Sequence, residues 1–322
     1  MEEKSVLLSS GHRMPLLGLG CWQSPPEEVA KAVEKALDEG YRHIDTAYNY
    51  LNEDGVGAGL HNWLKKTKTN RKEVFVVTKL PMIGMNKGGI EKFLKKSLEA
   101  LKLDYVDLYL VHFPVGMKGK DDRDVFPRDD KGIMVIDDAT DLIAIWKDME
   151  KMVDMGLTKS IGISNFNIKQ IKKVSANARI QPAVNQIEMH VDFQQREMNE
   201  FCKSRNIVIT AYGPIGSPGR PSFLTGKSEG CKLLDNPIVT LVAEKHKVTN
   251  AQVLIRFLIQ QDIVTIPKSA NPDRIKINGD IWKFTLSDLE MAALKYIDKG
   301  EAGRLFRLNG FPGTSEHPEC PV

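Results

Sequence analysis

The sequence predicts an α/β fold, a (β/α)8 barrel spanning the whole chain. Three observations carry that expectation. Eight short β-rich runs alternate with helix-period segments across 322 residues. Several runs are almost continuously apolar, as parallel strands covered on both faces must be. The length, with 42% hydrophobic and 27% charged residues, suits one large α/β barrel with an ample core. We expect a single domain over residues 1–322.

The strand candidates are LLGLG (16–20), HIDT (43–46), VFVVTK (74–79) and VDLYLVH (106–112). They continue with SIGISN (160–165), AVNQIEM (183–189), IVITAYG (207–213) and IVTIPKS (263–269). Between them, Val29, Val33, Ala36 and Leu37 share one helical face. So do Ile90, Phe93, Leu94 and Leu101, and then Leu142, Ile145, Trp146 and Met149. Gly40 after the first helix and Gly156 after the 139–155 helix are C-terminal stops. SVLLSSGHRMPLL reads as a leading β-hairpin that turns near Gly11. TLSDLEMAALKYI (285–297) reads as a late helix with Ser287 and Glu290 as a capping box.

The rival architecture is a doubly wound sheet, which needs a strand–GxGxxG–helix fingerprint. GLGCW follows the first strand without completing the motif, and GVGAGL (55–60) follows YLNED and runs into a helix. Both are decoys. Segments 114–138 and 214–236 are polar, rich in Gly and Pro, and too long for plain connectors; the tail 298–322 has no period. We place all three near one end of the barrel, where such loops serve function or move.

The bulk composition excludes several classes. A net charge of +3 without extended like-charge blocks, despite the Lys65–Lys68 cluster, gives no footprint for nucleic acid or a membrane surface. Cys21, Cys202, Cys231 and Cys320 are scattered and read as reduced thiols. The N-terminus lacks an apolar signal region, and no apolar run reaches 18 residues. A cytoplasmic protein is expected. The seven histidines show no metal-binding spacing, and there is no GxSxG elbow.

Catalytic groups in such barrels stand at the C-terminal ends of strands and in the loops that follow. Here seven consecutive strands end in polar residues. They are Asp45 with Tyr50 in the next loop, Lys79, His112, Ser164 with Asn165, Gln186, Tyr212, and Lys268 with Ser269. Each alone has a plain structural reading: Asp45 as a helix cap, Lys79 and His112 as solvated strand ends, Tyr50 as a rim aromatic. The functional reading rests on their convergence at one mouth. A phenol of ordinary pKa about 10 is a poor proton donor unless its anion is stabilised. A neighbouring ammonium stabilises it and lowers its pKa, and a carboxylate holds that ammonium in place. Asp45, Lys79 and Tyr50 thus make a general-acid assembly, with His112 able to orient a carbonyl oxygen.

The motifs GLGCW, YRHIDTAYNYLNE, VFVVTKL, LDYVDLYLVHFP, IGISNFN, VNQIEMH, TAYGPIG and IPKSANPDRIKIN resemble the aldo-keto reductases over essentially the whole chain. Weaker features suggest an animal member, an arthropod one. The resemblance implies NADPH lying extended across the C-terminal face of the barrel. It implies hydride transfer from nicotinamide C4 to an aldehyde or ketone, with Tyr50 as proton donor and Asp45, Lys79 and His112 beside it. It also implies that Ser164, Asn165 and Gln186 bind the carboxamide and that Tyr212 stacks on the ring. Lys268 and Arg274, with Ser269, Ala270 and Asn278 beside them, match the 2′-phosphate site, where two cations favour NADP over NAD. Cys21, Trp22, Gly213, Ile215 and Ser217 match further cofactor positions. Trp22, Asn49, Tyr50, His112, Phe113 and Phe126 match the substrate pocket, joined by Phe306 and Phe311 of the tail. His43, Tyr41 and Tyr48 fall on no catalytic position.

The departures from the family are specific. Ile277 stands where many relatives carry an acidic adenine contact, and Gln23 and Gly219 replace a Lys–Asp ion pair that closes over the cofactor. Phe113 and Pro81 replace pocket tryptophans. These imply a looser belt and a differently shaped pocket. The leading expectation is an NADPH-dependent carbonyl reductase of aldehyde-reductase type, acting as a monomer on small molecules. Its alternatives are a steroid (ecdysteroid) ketone reductase, a lyase using Lys79 or Lys268 as a Schiff base, and a non-catalytic NADPH-binding protein.

Overall fold

The computed structural model describes residues 4–221, 233–307 and 311–321. Cys231 and parts of segment 214–236 and of the tail lie outside the described residues.

The chain opens with an antiparallel hairpin of β1 (Ser5–Leu7) and β2 (Arg13–Pro15), turning through Gly11 at φ 85°. Then come β3 (Leu19–Gly20), α1 (Pro26–Asp38), β4 (His43–Asp45), α2 (Glu53–Thr67), β5 (Phe75–Leu80) and α3 (Gly89–Leu101). β6 (Val106–Val111), α4 (Leu142–Asp154), β7 (Thr158–Ser164), α5 (Ile168–Ser175), β8 (Val184–Glu188) and α6 (Arg196–Lys203) follow. Last are β9 (Val208–Tyr212), α7 (Pro237–His246), α8 (Asn250–Ile259), β10 (Val264–Thr265), α9 (Pro272–Gly279) and α10 (Asp288–Tyr296).

Strands β3 to β10 form one parallel sheet in sequential order. Bridges Leu17↔Thr265 and Gly20↔Lys268 join its two edges, so the sheet closes on itself. This is the predicted barrel. All eight strand candidates overlap one of its strands; β5 runs one residue past its candidate, to Leu80, and β7 starts two residues before its own, at Thr158. The first and last are shorter than their apolar runs, because they meet over a short seam of isolated bridges. The hairpin covers the N-terminal end of the barrel: Met14 is fully buried, and the Ser10 hydroxyl lies 2.7 Å from that of Ser160 at the start of β7. The other end is left for function.

Local signals explain the helices. α1 carries Pro at its first turn, and Val29, Val33, Ala36 and Leu37 are buried. Asp141 caps α4 from Ile143 N–H and Ala144 N–H, and Gly156 at φ 71° ends the turn after it. Ser287 and Glu290 form the expected capping box of α10.

The glycines of GVGAGL lie inside α2. A Cβ at Gly55 would sit 2.2 Å from Pro26 O, one at Gly57 2.7 Å from Leu101 O, and one at Gly59 2.4 Å from Ala30 O. They let α2 touch the backbones of α1 and α3, a packing role that outweighs the poor helix propensity of glycine.

Candidate active site

Parallel strands carry the strand-end side chains to one mouth. Registers Asp45↔Val77 and Lys79↔Leu110 place the ends of β4, β5 and β6 side by side. Lys79 Nζ donates to Asp45 Oδ1 at 2.6 Å, to Thr46 O at 2.9 Å and to the Tyr50 hydroxyl at 3.3 Å. Lys79 and Asp45 are buried, while Tyr50 is partly buried on the cavity wall. The Tyr50 ring meets His112 edge-on, with centroids 5.7 Å apart. Asp45 is not a helix cap: its second oxygen accepts from Gln186 Nε2 at 2.8 Å.

The electrostatics depart from the sequence expectation at one point. Lys79 does not pull the Tyr50 phenol down. Burial, then the charge of Asp45, then Cys21, push its pKa well above the ordinary value. The phenol therefore keeps its proton in this state, as a donor must. Burial, reinforced by Lys79, drives His112 well below the usual imidazole value. A neutral His112 can hydrogen-bond but has no ready proton to give, so Tyr50 is the better acid of the two.

Behind this group lies Glu53, which the sequence reading passed over. Its buried carboxylate accepts from Thr78 Oγ1 at 2.5 Å and from Ser97 Oγ at 2.8 Å. It thereby ties α2, next to the Tyr50 loop, to the residue before Lys79. Burial raises its pKa to about 7, against the opposing hydrogen bonds and the charge of Lys79. Tyr41, Tyr48 and His43 of YRHIDTAYNY are structural. Tyr41 donates to Ile275 O and Tyr48 to Asp122 O. His43 faces Pro15 O, with its pKa lowered to about 4 chiefly by burial.

A cavity of about 2270 Å³ opens over these groups. That exceeds the roughly 300–1,000 Å³ of an ordinary small-ligand pocket. Ser164 donates to Gln186 O, Asn165 Nδ2 donates to His112 O and to Ser164 Oγ, and the Tyr212 hydroxyl donates to Asn165 Oδ1. These bonds lock Ser164, Asn165, Gln186 and Tyr212 to one another along one side of the cavity. Gly213, Ile215 and Ser217 line the next stretch. Lys268, Ser269, Ala270, Arg274, Ile277 and Asn278 line the far end, where exposed Lys268 and Arg274 give the positive charge a phosphate needs. Gln23 and Gly219 both reach the cavity, and Gln23 O accepts from Lys268 Nζ at 3.3 Å.

Two placements differ from expectation. Cys21 is buried and does not line the cavity; its backbone N–H donates to Asp45 O, so it supports the site from behind. Pro81 also lies off the wall, where Met82 stands instead. Trp22, Asn49, Phe113 and Phe126 line the cavity as expected. Phe306 packs against Trp22 at 5.8 Å and Tyr212 at 5.2 Å, and Phe311 against Phe126 at 5.5 Å.

The tail is held by a residue that no local pattern in the chain marks out. Buried Glu188, at the end of β8, accepts from Leu305 N–H at 2.6 Å, Phe306 N–H at 3.0 Å and His190 Nε2 at 3.0 Å. Further on, Met134 N–H donates to Pro312 O, and His317 bonds Asp137 O, tying the tail to segment 114–138. Among the described residues no group of three His, Cys, Asp or Glu could hold a metal ion, and no helix is long and apolar enough to cross a membrane.

The barrel thus carries a linked Asp45–Lys79–Tyr50 chain at one mouth, under a cavity whose far end holds the exposed cations Lys268 and Arg274. The sequence model of the Aldo/keto reductase family matches residues 16–299. Aldo-keto reductase family 1 member A1-A of Danio rerio is 43% identical, covering 92% of this chain and 90% of that protein. Family 1 member D1 of Mus musculus is 38% identical, covering 98% and 96%. The structure of the aldose reductase from Schistosoma japonicum superposes with a TM-score of 0.90 at 39% identity, over 100% of this chain and 99% of that one. The chain belongs to the aldo/keto reductase family, NADP-dependent oxidoreductases that reduce carbonyl compounds.

Proposed function

We propose that this protein is an NADPH-dependent carbonyl reductase in which Tyr50 is the general acid. The observation that carries the reading is the buried chain Asp45–Lys79–Tyr50, with His112 edge-on to the phenol. NADPH, when bound, supplies the hydride that the carbonyl carbon accepts. The chain's own residues do the rest. Neutral His112 hydrogen-bonds the carbonyl oxygen and aims it at Tyr50. As the C=O bond becomes a single bond, the phenol gives that oxygen its proton and the product is an alcohol. Lys79, held charged by Asp45, stabilises the phenolate left behind.

Ser164, Asn165 and Gln186 would hold the nicotinamide amide, with Tyr212 stacked on the ring. Gly213, Ile215 and Ser217 would make further contacts with the cofactor. Lys268 and Arg274, with Ser269, Ala270 and Asn278, would take the 2′-phosphate. Trp22, Phe113 and Phe126 receive the apolar part of the substrate together with Phe306 and Phe311. This mostly aromatic lining favours aliphatic and aromatic aldehydes as the broad activity, with apolar ketones, steroid ketones included, as the second class. We place the enzyme in the cytoplasm as a monomeric barrel spanning 1–322.

The test is turnover of an aldehyde and ketone panel with NADPH against NADH, followed at the nicotinamide absorbance band. Aldehyde-dependent oxidation of NADPH in preference to NADH is expected. A protein that binds NADPH and oxidises it with no carbonyl in the panel would overturn the reading.

A further inference from the structure

Asn52 opens α2 at the position where an asparagine ordinarily turns its side chain onto the first free N–H groups of the helix. Here that cap bond is not made. The buried amide goes elsewhere. Its Nδ2 donates to Cys21 O at 2.9 Å and to Ser24 O at 2.8 Å, using both of its hydrogens, and its Oδ1 faces the Thr46 hydroxyl at 3.5 Å. Cys21 and Ser24 are the two ends of one turn, with Trp22 and Gln23 in its middle. Both middle residues line the cavity; Trp22 packs on Phe306, and Gln23 is held left-handed at φ 60°. A non-glycine residue keeps such a backbone only when its surroundings hold it, and the two bonds from Asn52 are such a hold. On the other side, Leu51 alone separates Asn52 from Tyr50. Leu51 is also left-handed, at φ 53°, and its side chain is 54% exposed. An exposed side chain does not fix that backbone; the hydrogen bonds around it do, from Leu51 N–H to Tyr48 O and from the Asn52 amide. One side chain therefore fastens the loop that carries the phenol to the turn that carries the indole.

We propose that Asn52 is a positioning residue for the reduction: by gripping both ends of the Trp22–Gln23 turn it sets where Trp22 stands relative to Tyr50, and so sets the preference for aromatic over small aliphatic aldehydes. The inference rests on the carbonyl-reductase reading, with Trp22 in the substrate wall, and deepens it. A small aldehyde needs Tyr50 but little of that wall. An aromatic one needs both at a fixed spacing, because a misplaced wall costs the oriented geometry on which turnover depends.

The experiment measures kcat/KM with NADPH for 2-naphthaldehyde and propanal in the wild type, Asn52→Ser, Trp22→Ala and the double variant. Serine caps helices well, so α2 keeps its start, but it has one hydrogen to give where the amide gives two. Asn52→Asp, which keeps the shape and loses both donors, makes the same comparison if the serine variant does not fold. We expect Asn52→Ser to lower the naphthaldehyde-to-propanal ratio roughly tenfold, about the worth of one of the two hydrogen bonds. In the Trp22→Ala background the same substitution should leave the ratio nearly unchanged, because a residue that acts through Trp22 has nothing left to position. An unchanged or raised ratio in Asn52→Ser, or a fall of equal size in both backgrounds, overturns the inference and leaves the carbonyl-reductase reading standing. Loss of the fold in both Asn52 variants makes the residue a structural one and overturns it too. Failure of the wild type to reduce either aldehyde overturns both readings.

Discussion

The Asp45 carboxylate is shared: Oδ1 takes the Lys79 ammonium at 2.6 Å and Oδ2 takes the Gln186 amide at 2.8 Å. One buried anion thus anchors the cation proposed to stabilise the Tyr50 phenolate and an amide proposed for cofactor recognition. Asp45→Asn leaves the Lys79 charge buried without a partner, and we expect it to lower stability by about 3–5 kcal/mol. Asp45→Asn/Lys79→Met removes both charges and should recover most of that loss while remaining inactive. Thermal denaturation and turnover, measured on both variants, check the pair.

Tyr50→Phe keeps the ring beside His112 and removes the proton. Turnover is expected to drop by about 10²–10⁴-fold, while NADPH affinity, read by quenching of protein fluorescence, changes little. Wild-type turnover in this variant would remove Tyr50 from the mechanism.

The pH dependence of stability follows from Glu53 and the histidines. Glu53 has its pKa raised from 4.5 to about 7. The native state therefore holds a proton that the unfolded chain has released, and the associated stability, on the order of 3 kcal/mol, is lost as pH rises from 4.5 to 7. His43 has its pKa lowered from 6.5 to about 4. It is neutral in the fold where the unfolded chain protonates, so its contribution is lost as pH falls from 6.5 to 4. His112 is shifted in the same direction. The opposing slopes partly cancel in the wild type. Glu53→Gln should expose the histidine slope, with the melting temperature rising more steeply between pH 4.5 and 6.5 than in the parent.

Lys268 and Arg274 flank the groove where the 2′-phosphate is proposed to sit. Replacing both by Met should cut the preference for NADPH over NADH by roughly 10–100-fold, about the value of one or two charge-assisted contacts. The residual preference should no longer weaken on adding salt. Steady-state kinetics with each cofactor at low and high ionic strength is the check.

Gln23 and Gly219 cannot form an ion pair across the cofactor groove. Gln23→Lys/Gly219→Asp supplies one, and NADP⁺ release followed by stopped-flow fluorescence should slow. A release rate no slower than that of the parent would argue against a loose belt.

Much of this molecule was legible in the chain, for identifiable reasons. Strands β5 and β6 are fully buried, so each appears as a mostly apolar run, with Lys79 next to the end of β5 and His112 just past the end of β6. Seam strands β3 and β10 were over-read, because the apolar runs there outlast the ladder. The missing parts depend on distance. The Gln186–Asp45 bond spans 141 positions and the Glu188–Leu305 bond 117, and no local pattern announces either. The direction of the Tyr50 shift was misjudged because desolvation depends on what the fold stacks above and below the phenol, which spacing along a chain does not reveal. The glycines of α2 carried a signal, but only the approach of Pro26, Leu101 and Ala30 shows its meaning.

Glu188 has a further consequence. It moors the tail by the amide protons of Leu305 and Phe306, groups that every residue but proline possesses. The anchor is therefore indifferent to which side chains follow it. Substitutions at 306 and 311 can redraw the cavity wall without casting the segment loose. This leaves the enzyme a stretch of sequence on which new selectivity can be drafted while the catalytic floor below stays untouched.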